Sequence, residues 1–202
     1  MVGFLGGYDR WDDEHRSVRR LVLKLREQNR VYAESISNHH RSVARAFILR
    51  ALDTNRNHQL DPEEKSQARI ILFGQSWGGA AAIETARDLE KLGIPVLLTV
   101  QVDSVGLHDD VIPANVRDAV NFFQHDPLTT IHGRREIRAA DPTKTVILGN
   151  FEFTYKSRSV DESNASAARR VFGGSHTKME VDPVVWNRVQ QYISGAIARR
   201  VP

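Results

Sequence analysis

The sequence predicts an α/β fold, a three-layer α/β/α sandwich built on a mostly parallel sheet of about five strands. Two short apolar runs, at 70–73 and 95–102, are bounded by glycine or by turn residues, which is typical of strands buried on both faces. Between such runs lie segments whose apolar residues recur every three or four positions, the spacing of amphipathic helices. Strands that alternate with helices along a chain favour parallel pairing, with helices on both faces of the sheet.

The totals indicate one ordinary globular domain over residues 1–202, because a chain of this length can bury a full hydrophobic core. Hydrophobic residues make up 41% and charged residues 26%, which is the composition of an ordinary globular protein. The net charge of +3 is too small an excess to indicate a partner made of nucleic acid. Cysteine is absent, which excludes disulfide bonds, thiol catalysis and thiolate metal sites.

No targeting or membrane segment is predicted. The apolar runs all fall short of the roughly 20 residues that a membrane-spanning helix needs, so we expect a soluble protein with no transmembrane segment. Met1 leads directly into V-G-F-L-G-G, with neither a charged start nor a cleavage site, so no signal peptide is visible. This abrupt start on what resembles an inner strand suggests that a leader or preceding strands are missing. Compartment and oligomeric state stay open.

The order of elements follows from apolar spacing and from residues that begin or end helices. Predicted strands lie at 2–5, 31–36, 70–73, 95–102 and 145–148. Predicted helices lie at 12–28, 40–52, 80–92, 113–124 and from 182 onwards. Pro113 and the pair Asp182-Pro183 are typical first residues of a helix. Phe151 and Phe153 alternate with polar residues, as if the last strand continued along an edge of the sheet.

The most informative stretch runs from Arg69 to Gly79 and reads R-I-I-L-F-G-Q-S-W-G-G. A buried strand passes through G-x-S-x-G into a helix that begins with small residues, which suits a sharp turn that lifts one hydroxyl above the sheet. Glycines at 74 and 78 are expected because a Cβ there would collide with a neighbouring strand or helix. Ser76 itself must adopt strained backbone, which marks it as a candidate nucleophile.

This stretch resembles the nucleophile elbow of the α/β-hydrolase superfamily, most closely its lipase and esterase branch. That family carries a serine, an acid and a histidine in chain order, and the resemblance assigns these places to Ser76, Asp103 and His176. It also implies that the oxyanion is bound by the N–H of Trp77 and by one from the loop after the first strand, at Gly7. The implied activity is a serine hydrolase that cleaves a small-molecule or lipid ester through an acyl-enzyme, without an organic cofactor.

The base and the acid are placed by their positions along the chain. His176 follows two glycines on a predicted loop before the final helix, where the resembled family keeps its base. Asp103 ends the first strand after the elbow, so it should lie at the same edge of the sheet as Ser76. His39 and His40 lie beyond the carboxyl end of the second strand, at the edge where such sheets place their sites, but they are more typical of the first turn of a helix.

Alternatives remain open for the acid and for the function. Many relatives in the resembled family place the acid one strand later, where this chain has Asn150 and Glu152. Glu152 is therefore a second candidate, ahead of Asp161 or Glu162. The same triad would also serve a thioesterase or an acyltransferase, and a chain that lacked one of its members would be a calcium-stabilised binding module without catalysis.

A second motif precedes the elbow. Residues 53–64 fit the EF-hand calcium loop, D-x-[DN]-x-[DN]-G-x5-E, at all but the glycine, whose place His58 takes. The predicted oxygen ligands are the side chains of Asp53, Asn55, Asn57, Asp61 and Glu64 and the carbonyl of Gln59. The loop lies at the amino end of the elbow strand, roughly 17 Å from Ser76. We therefore expect a structural calcium ion, with a plain polar loop as the alternative.

Overall fold

A parallel β-sheet runs through the centre of the molecule, and the computed structural model describes residues 1–27, 31–127, 131–163, 165 and 173–199. In chain order the elements are β1 (Val2–Leu5), α1 (Ser17–Glu27), β2 (Glu34–Ser37), α2 (Arg41–Leu52), α3 (Pro62–Ser66), β3 (Ile70–Gln75), α4 (Trp77–Lys91), β4 (Val96–Val102), β5 (Val111–Ile112), β6 (Val116–Gln124), β7 (Arg138–Ala139), β8 (Val146–Phe153), α5 (Gly174–Val181) and α6 (Pro183–Ala198).

The central sheet has six strands in the order β2-β1-β3-β4-β6-β8, and each neighbouring pair is parallel. The short strands β5 and β7 form a separate parallel pair beside it. Strand β8 lies at one edge of the sheet and continues through Phe153, as its aromatic alternation predicts. The predicted α/β class is confirmed, with one strand more than expected.

Helices cover both faces of the sheet. Apolar residues of α1 and α6, among them Val22 and Val189, form one core with one face of the strands. Residues of α2 and α4, among them Ile48 and Ala86, form a second core with the other face. The three-layer α/β/α sandwich is therefore confirmed. Within the described ranges, no helix is both long enough and apolar enough to cross a membrane.

The predicted helix over 113–124 is wrong, because this segment forms strand β6. Its apolar residues have helical spacing, but they also suit a strand that packs against helices on both faces: Val116, Ala119, Val120 and Phe123. Strand β6 pairs with β4 on one side and β8 on the other, so nearly every one of its side chains is buried. Burial on both faces erases the alternation by which an exposed strand is recognised.

Smaller differences concern the ends of elements. The second strand lies at Glu34–Ser37 instead of 31–36, because these four residues are the ones that pair with Val2–Leu5 of β1. The first helix begins at Ser17, because Asp13 forms a turn that accepts the N–H of His15. Its predicted end at residue 28 lies outside the described residues. These shifts leave the order of the elements unchanged.

The order of the strands locates a crevice. From β1 the chain moves outward to β2 and then returns past β1 to β3, from which it continues in the opposite direction to β4, β6 and β8. Adjacent loops after β1 and β3 therefore leave the sheet toward opposite sides, and ligands of open parallel sheets bind at such a switch point. The loop after β1 begins at Gly6, and the turn after β3 contains Ser76.

Candidate active site

The turn between β3 and α4 has the geometry that its sequence predicts. Ser76 has φ of +57° and ψ of −128°, which is strained for a residue other than glycine. A Cβ at position 74 would lie 2.2 Å from the carbonyl oxygen of Gly78, and one at position 78 would lie 2.1 Å from the carbonyl oxygen of Phe4. Neither position could carry a side chain, so the strand, the turn and the helix are packed directly against each other. The predicted elbow geometry is confirmed.

The loop after β1 passes beside the nucleophile candidate. A Cβ at Gly6 would lie 3.0 Å from the Cβ of Ser76. Gly7 has a positive φ of 53°, and its carbonyl accepts a hydrogen bond from the side-chain amide of Asn38. The N–H of Trp77 is the first of α4, so it has no acceptor within the helix. Both predicted oxyanion donors thus belong to segments that flank Ser76.

Asp103 and His176 are brought together, as the resemblance implies. Oδ2 of Asp103 lies 2.7 Å from Nδ1 of His176, and the Asp103 side chain is 0% exposed. The N–H of Gly133 donates to Oδ1 of Asp103 at 2.7 Å, and the side-chain amide of Gln124 donates to Oδ2 at 2.9 Å. These donors compensate the burial of a carboxylate and hold it in one orientation toward the imidazole.

The histidine lies on a helix and not on a loop, which corrects the prediction for its surroundings. His176 belongs to the first turn of α5, which begins after Gly173. Its Nε2 lies 3.2 Å from Nε2 of Gln75. Among the described contacts, no hydrogen bond joins His176 to Ser76, so the predicted link between the candidate base and the candidate nucleophile is not formed in this structure. Such links are often long before substrate binds.

The alternative acids and bases lie elsewhere. Glu152 is exposed on the edge strand β8, opposite Phe123. Asn150 occupies the place of the later acid, and its side-chain oxygen accepts from Asn121 and from the N–H of Ile137. Asp161 accepts a hydrogen bond from the N–H of Ser163. The rings of His39 and His40 pack on each other, with their centroids 4.3 Å apart. The described contacts of His176 therefore favour Asp103 as its acid.

A buried carboxylate braces the loop that follows β4. Burial raises the pKa of Asp109, against hydrogen bonds from Ser104 and Arg134 that lower it. Ser104 packs on the start of α4, where a Cβ at Gly79 would lie 2.6 Å from its hydroxyl oxygen. The next residue, Val105, donates its N–H to the carbonyl of Ser76 at 3.2 Å. The loop therefore supports the backbone of the turn that contains Ser76, a role that spacing in the sequence did not indicate.

A groove of about 450 Å³ opens beside the elbow. Its lining residues are Asn38, Arg41, Trp77, Ala80, Ala81, Glu84, Val105, Gly106 and Leu107. The polar ones are already engaged, since Asn38 donates to carbonyls of the loop after β1 and Arg41 pairs with Glu84 and Asp88. The surface left for a ligand is mainly carbon, with Leu107 81% exposed.

The calcium motif lies between α2 and α3, at the amino end of β3 and so opposite the elbow. His58 has φ of +64°, in keeping with its place at the motif's glycine position. The oxygens of Asp53, Asn55 and Asn57 accept N–H groups of the loop itself. Within the described residues, no three or more histidine and carboxylate side chains lie close enough together to hold a metal ion as they stand.

Glu64, the last position of the motif, folds back over the loop. Its Oε1 accepts from the N–H and the hydroxyl of Thr54, and its Oε2 accepts the N–H of Asp61. Burial would raise the pKa of Glu64, but these hydrogen bonds outweigh it and hold the pKa below its ordinary value. Asp61 caps α3 in return, through the N–H of Glu64. The donor set is all oxygen, which is the chemistry that calcium prefers.

Comparisons of the chain with protein-family models, with curated proteins and with solved structures find no match. The fold and the contacts around Ser76, Asp103 and His176 are therefore the basis on which a function is proposed.

Proposed function

We propose that this protein is a serine hydrolase that cleaves a carboxylic ester through Ser76, His176 and Asp103. The observation that carries the proposal is the 2.7 Å contact between the buried carboxylate of Asp103 and Nδ1 of His176. That pair lies at the same edge of the sheet as the strained turn of Ser76. An ordinary turn has no need for an imidazole oriented by a fully buried acid, whereas nucleophilic catalysis by a hydroxyl requires one.

In the proposed reaction Oγ of Ser76 attacks the ester carbonyl while Nε2 of His176 takes the hydroxyl proton. Asp103 keeps Nδ1 protonated and stabilises the imidazolium that forms. The N–H groups of Trp77 and Gly7 would bind the oxyanion. The C–O bond then breaks, the alcohol leaves with the proton from His176, and an acyl-enzyme remains. Water activated by the same imidazole releases the acid and restores Ser76.

The direct test is labelling with a fluorophosphonate probe, which reacts readily only with an activated serine. Wild-type protein should carry one adduct, and peptide mapping should place it on Ser76 among all the serines of the chain. An unlabelled protein that is folded would overturn the hydrolase proposal and favour a binding module without catalysis. An adduct on another serine would overturn the assignment of the nucleophile.

The groove beside the elbow predicts a preference for esters that carry an apolar chain. Each methylene that the groove buries should raise kcat/KM by up to about fourfold. Leu107→Glu should then lower kcat/KM for a p-nitrophenyl octanoate at least about tenfold while leaving the acetate ester within about twofold. The residue is 81% exposed, so the change should leave the fold intact.

Leu92→Glu is the matched control for the groove, because the same substitution falls just beyond the other end of α4. A helix of 15 residues places it roughly 22 Å from the elbow. Equal losses in Leu107→Glu and Leu92→Glu, or a chain-length profile that Leu107→Glu leaves unchanged, would contradict a role for the groove in binding substrate.

We also propose that the loop over 53–64 binds a structural calcium ion. The side chains of Asp53, Asn55, Asn57, Asp61 and Glu64 and the carbonyl of Gln59 would hold it. An all-oxygen donor set and the positive φ at His58 support the proposal. The ion would tie the end of α2 to the start of α3, at the opposite end of β3 from Ser76. It would stabilise the fold and take no part in the chemistry.

Calcium should therefore raise the melting temperature by roughly 5–10 °C at about a hundredfold excess over its Kd. Glu64→Gln should abolish this response, because it removes the charged ligand that binds with both oxygens. Glu63→Gln is the matched control, since the carboxylate of Glu63 is exposed and lies outside the donor set, although it is next to Glu64 in the sequence. The measurement is the difference between melts with calcium and with chelator. A wild-type difference of zero would identify the segment as a plain polar loop.

A further inference from the structure

The residue before the nucleophile contacts the base. Gln75 is the last residue of β3 and is 3% exposed. Its amide nitrogen lies 3.2 Å from Nε2 of His176. Its amide oxygen lies against Gly6, where a Cβ would approach it to 2.5 Å. The side chain therefore fills the space between the loop after β1 and the imidazole, and Gly6 leaves room for it.

Two neighbours together determine the tautomer of His176. The carboxylate of Asp103 only accepts, so Nδ1 of His176 carries the proton that faces it. The amide nitrogen of Gln75 only donates, so Nε2 of His176 presents its lone pair to Gln75. That lone pair is the one that has to take the proton from Ser76 in the proposed reaction.

We infer that Gln75 is a positioning residue that holds His176 in a resting state, with its basic nitrogen occupied and turned from Ser76. The inference rests on the proposed function. For Ser76 to react, His176 must exchange the hydrogen bond from Gln75 for the one from the serine hydroxyl. The amide holds the imidazole in the productive tautomer, but it also competes with the nucleophile for one lone pair.

Gln75→Met tests the competition, because methionine has a similar shape and offers no N–H. The variant should react with the fluorophosphonate about two- to tenfold faster than wild type, which is the range expected for losing one net hydrogen bond. Gln75→Glu should act in the opposite direction, with a loss of at least about tenfold, because a carboxylate favours a protonated Nε2. A purely structural role would make both variants slower and would lower both melting temperatures.

Gln101→Met is the matched control, since Gln101 is a buried glutamine on the neighbouring strand whose amide donates to the carbonyl of Asp109. It should show no acceleration. If Gln75→Met keeps its melting temperature and reacts no faster than wild type, the inference is overturned. If wild type itself fails to label, it is the proposed function that falls, so the two failures are distinguishable.

Long-range proton–nitrogen NMR of the histidine side chains tests the contact in wild-type protein, whatever the fate of the variants. The resonances of His176 are assigned by their loss in His176→Gln. A protonated Nδ1 with an unprotonated Nε2 is expected. A proton on Nε2 would mean that Gln75 accepts instead of donating, and it would overturn the inference.

Discussion

Ser76→Ala should reduce kcat for ester hydrolysis by about 10⁶. The hydroxyl is the only group in the proposed mechanism that forms a covalent bond with the substrate, so its neighbours cannot replace it. Alanine retains the Cβ of serine, and the strained backbone at φ of +57° is no worse for it. The melting temperature should therefore stay within a few degrees of wild type, and fluorophosphonate labelling should disappear.

The control for this variant is Ser66→Ala. The hydroxyl of Ser66 is exposed and donates a hydrogen bond to the carbonyl of Glu63 in α3. Ser66→Ala should hydrolyse a p-nitrophenyl ester at the wild-type rate. Hydrolysis by Ser76→Ala at more than about a hundredth of the wild-type rate would show that another group performs the reaction, since a true nucleophile contributes far more.

The elbow could be predicted from the sequence because its residues stand close together along the chain. Gly74, Ser76 and Gly78 lie within five positions, and Gly74 and Ser76 are required by the backbone of the turn itself, whereas Gly78 is required by Phe4 of the neighbouring strand β1. The short buried strands on either side of α4 could also be predicted, because each is a continuous apolar run that can be identified without knowing which strand pairs with it. The fold class followed from these strands and from the amphipathic helices between them.

Strand β6 could not be predicted in this way, because its pattern depends on what surrounds it. A strand between two others, with helices above and below, shows no exposed face, and its apolar residues then match a helix equally well. Because β6 was predicted as a helix, two hydrogen-bond donors of the candidate site were also missed. Gln124 ends β6 and Gly133 lies in the loop beyond it, and both donate to Asp103.

The immediate surroundings of the base were likewise outside the reach of the sequence. Gln75 carries no signal of its own inside G-x-S-x-G, where the second position is free to vary. Its contact with His176 joins residues 101 positions apart and depends on how α5 docks against the sheet. The choice between Asp103 and Glu152 as the acid depended on the same docking. Asp103 follows strand β4 and Glu152 lies on strand β8, and only the position of α5 shows that His176 contacts Asp103.

Asp103→Asn should lower kcat by about 10⁴ while leaving the fold intact. Asparagine tolerates the positive φ of 44° at this position, and its oxygen can still accept from Gly133. Its amide nitrogen would then face two donors, the side chain of Gln124 and the Nδ1–H of His176. The imidazole then favours the tautomer that carries its proton on Nε2, for which the amide of Gln75 has to present its oxygen instead of its nitrogen. With Nε2 protonated, His176 can no longer take the proton of Ser76.

Glu152→Gln is the matched control, because it makes the same change of carboxylate to amide at the rival position. Glu152 is exposed on β8, so its variant should keep kcat within about twofold of wild type. Steady-state kinetics on one short ester compares the two variants directly, and the NMR tautomer of His176 should change in Asp103→Asn alone. A large loss in Glu152→Gln beside an active Asp103→Asn would mean that the buried carboxylate only braces α5, and that the acid of the triad comes from the edge strand.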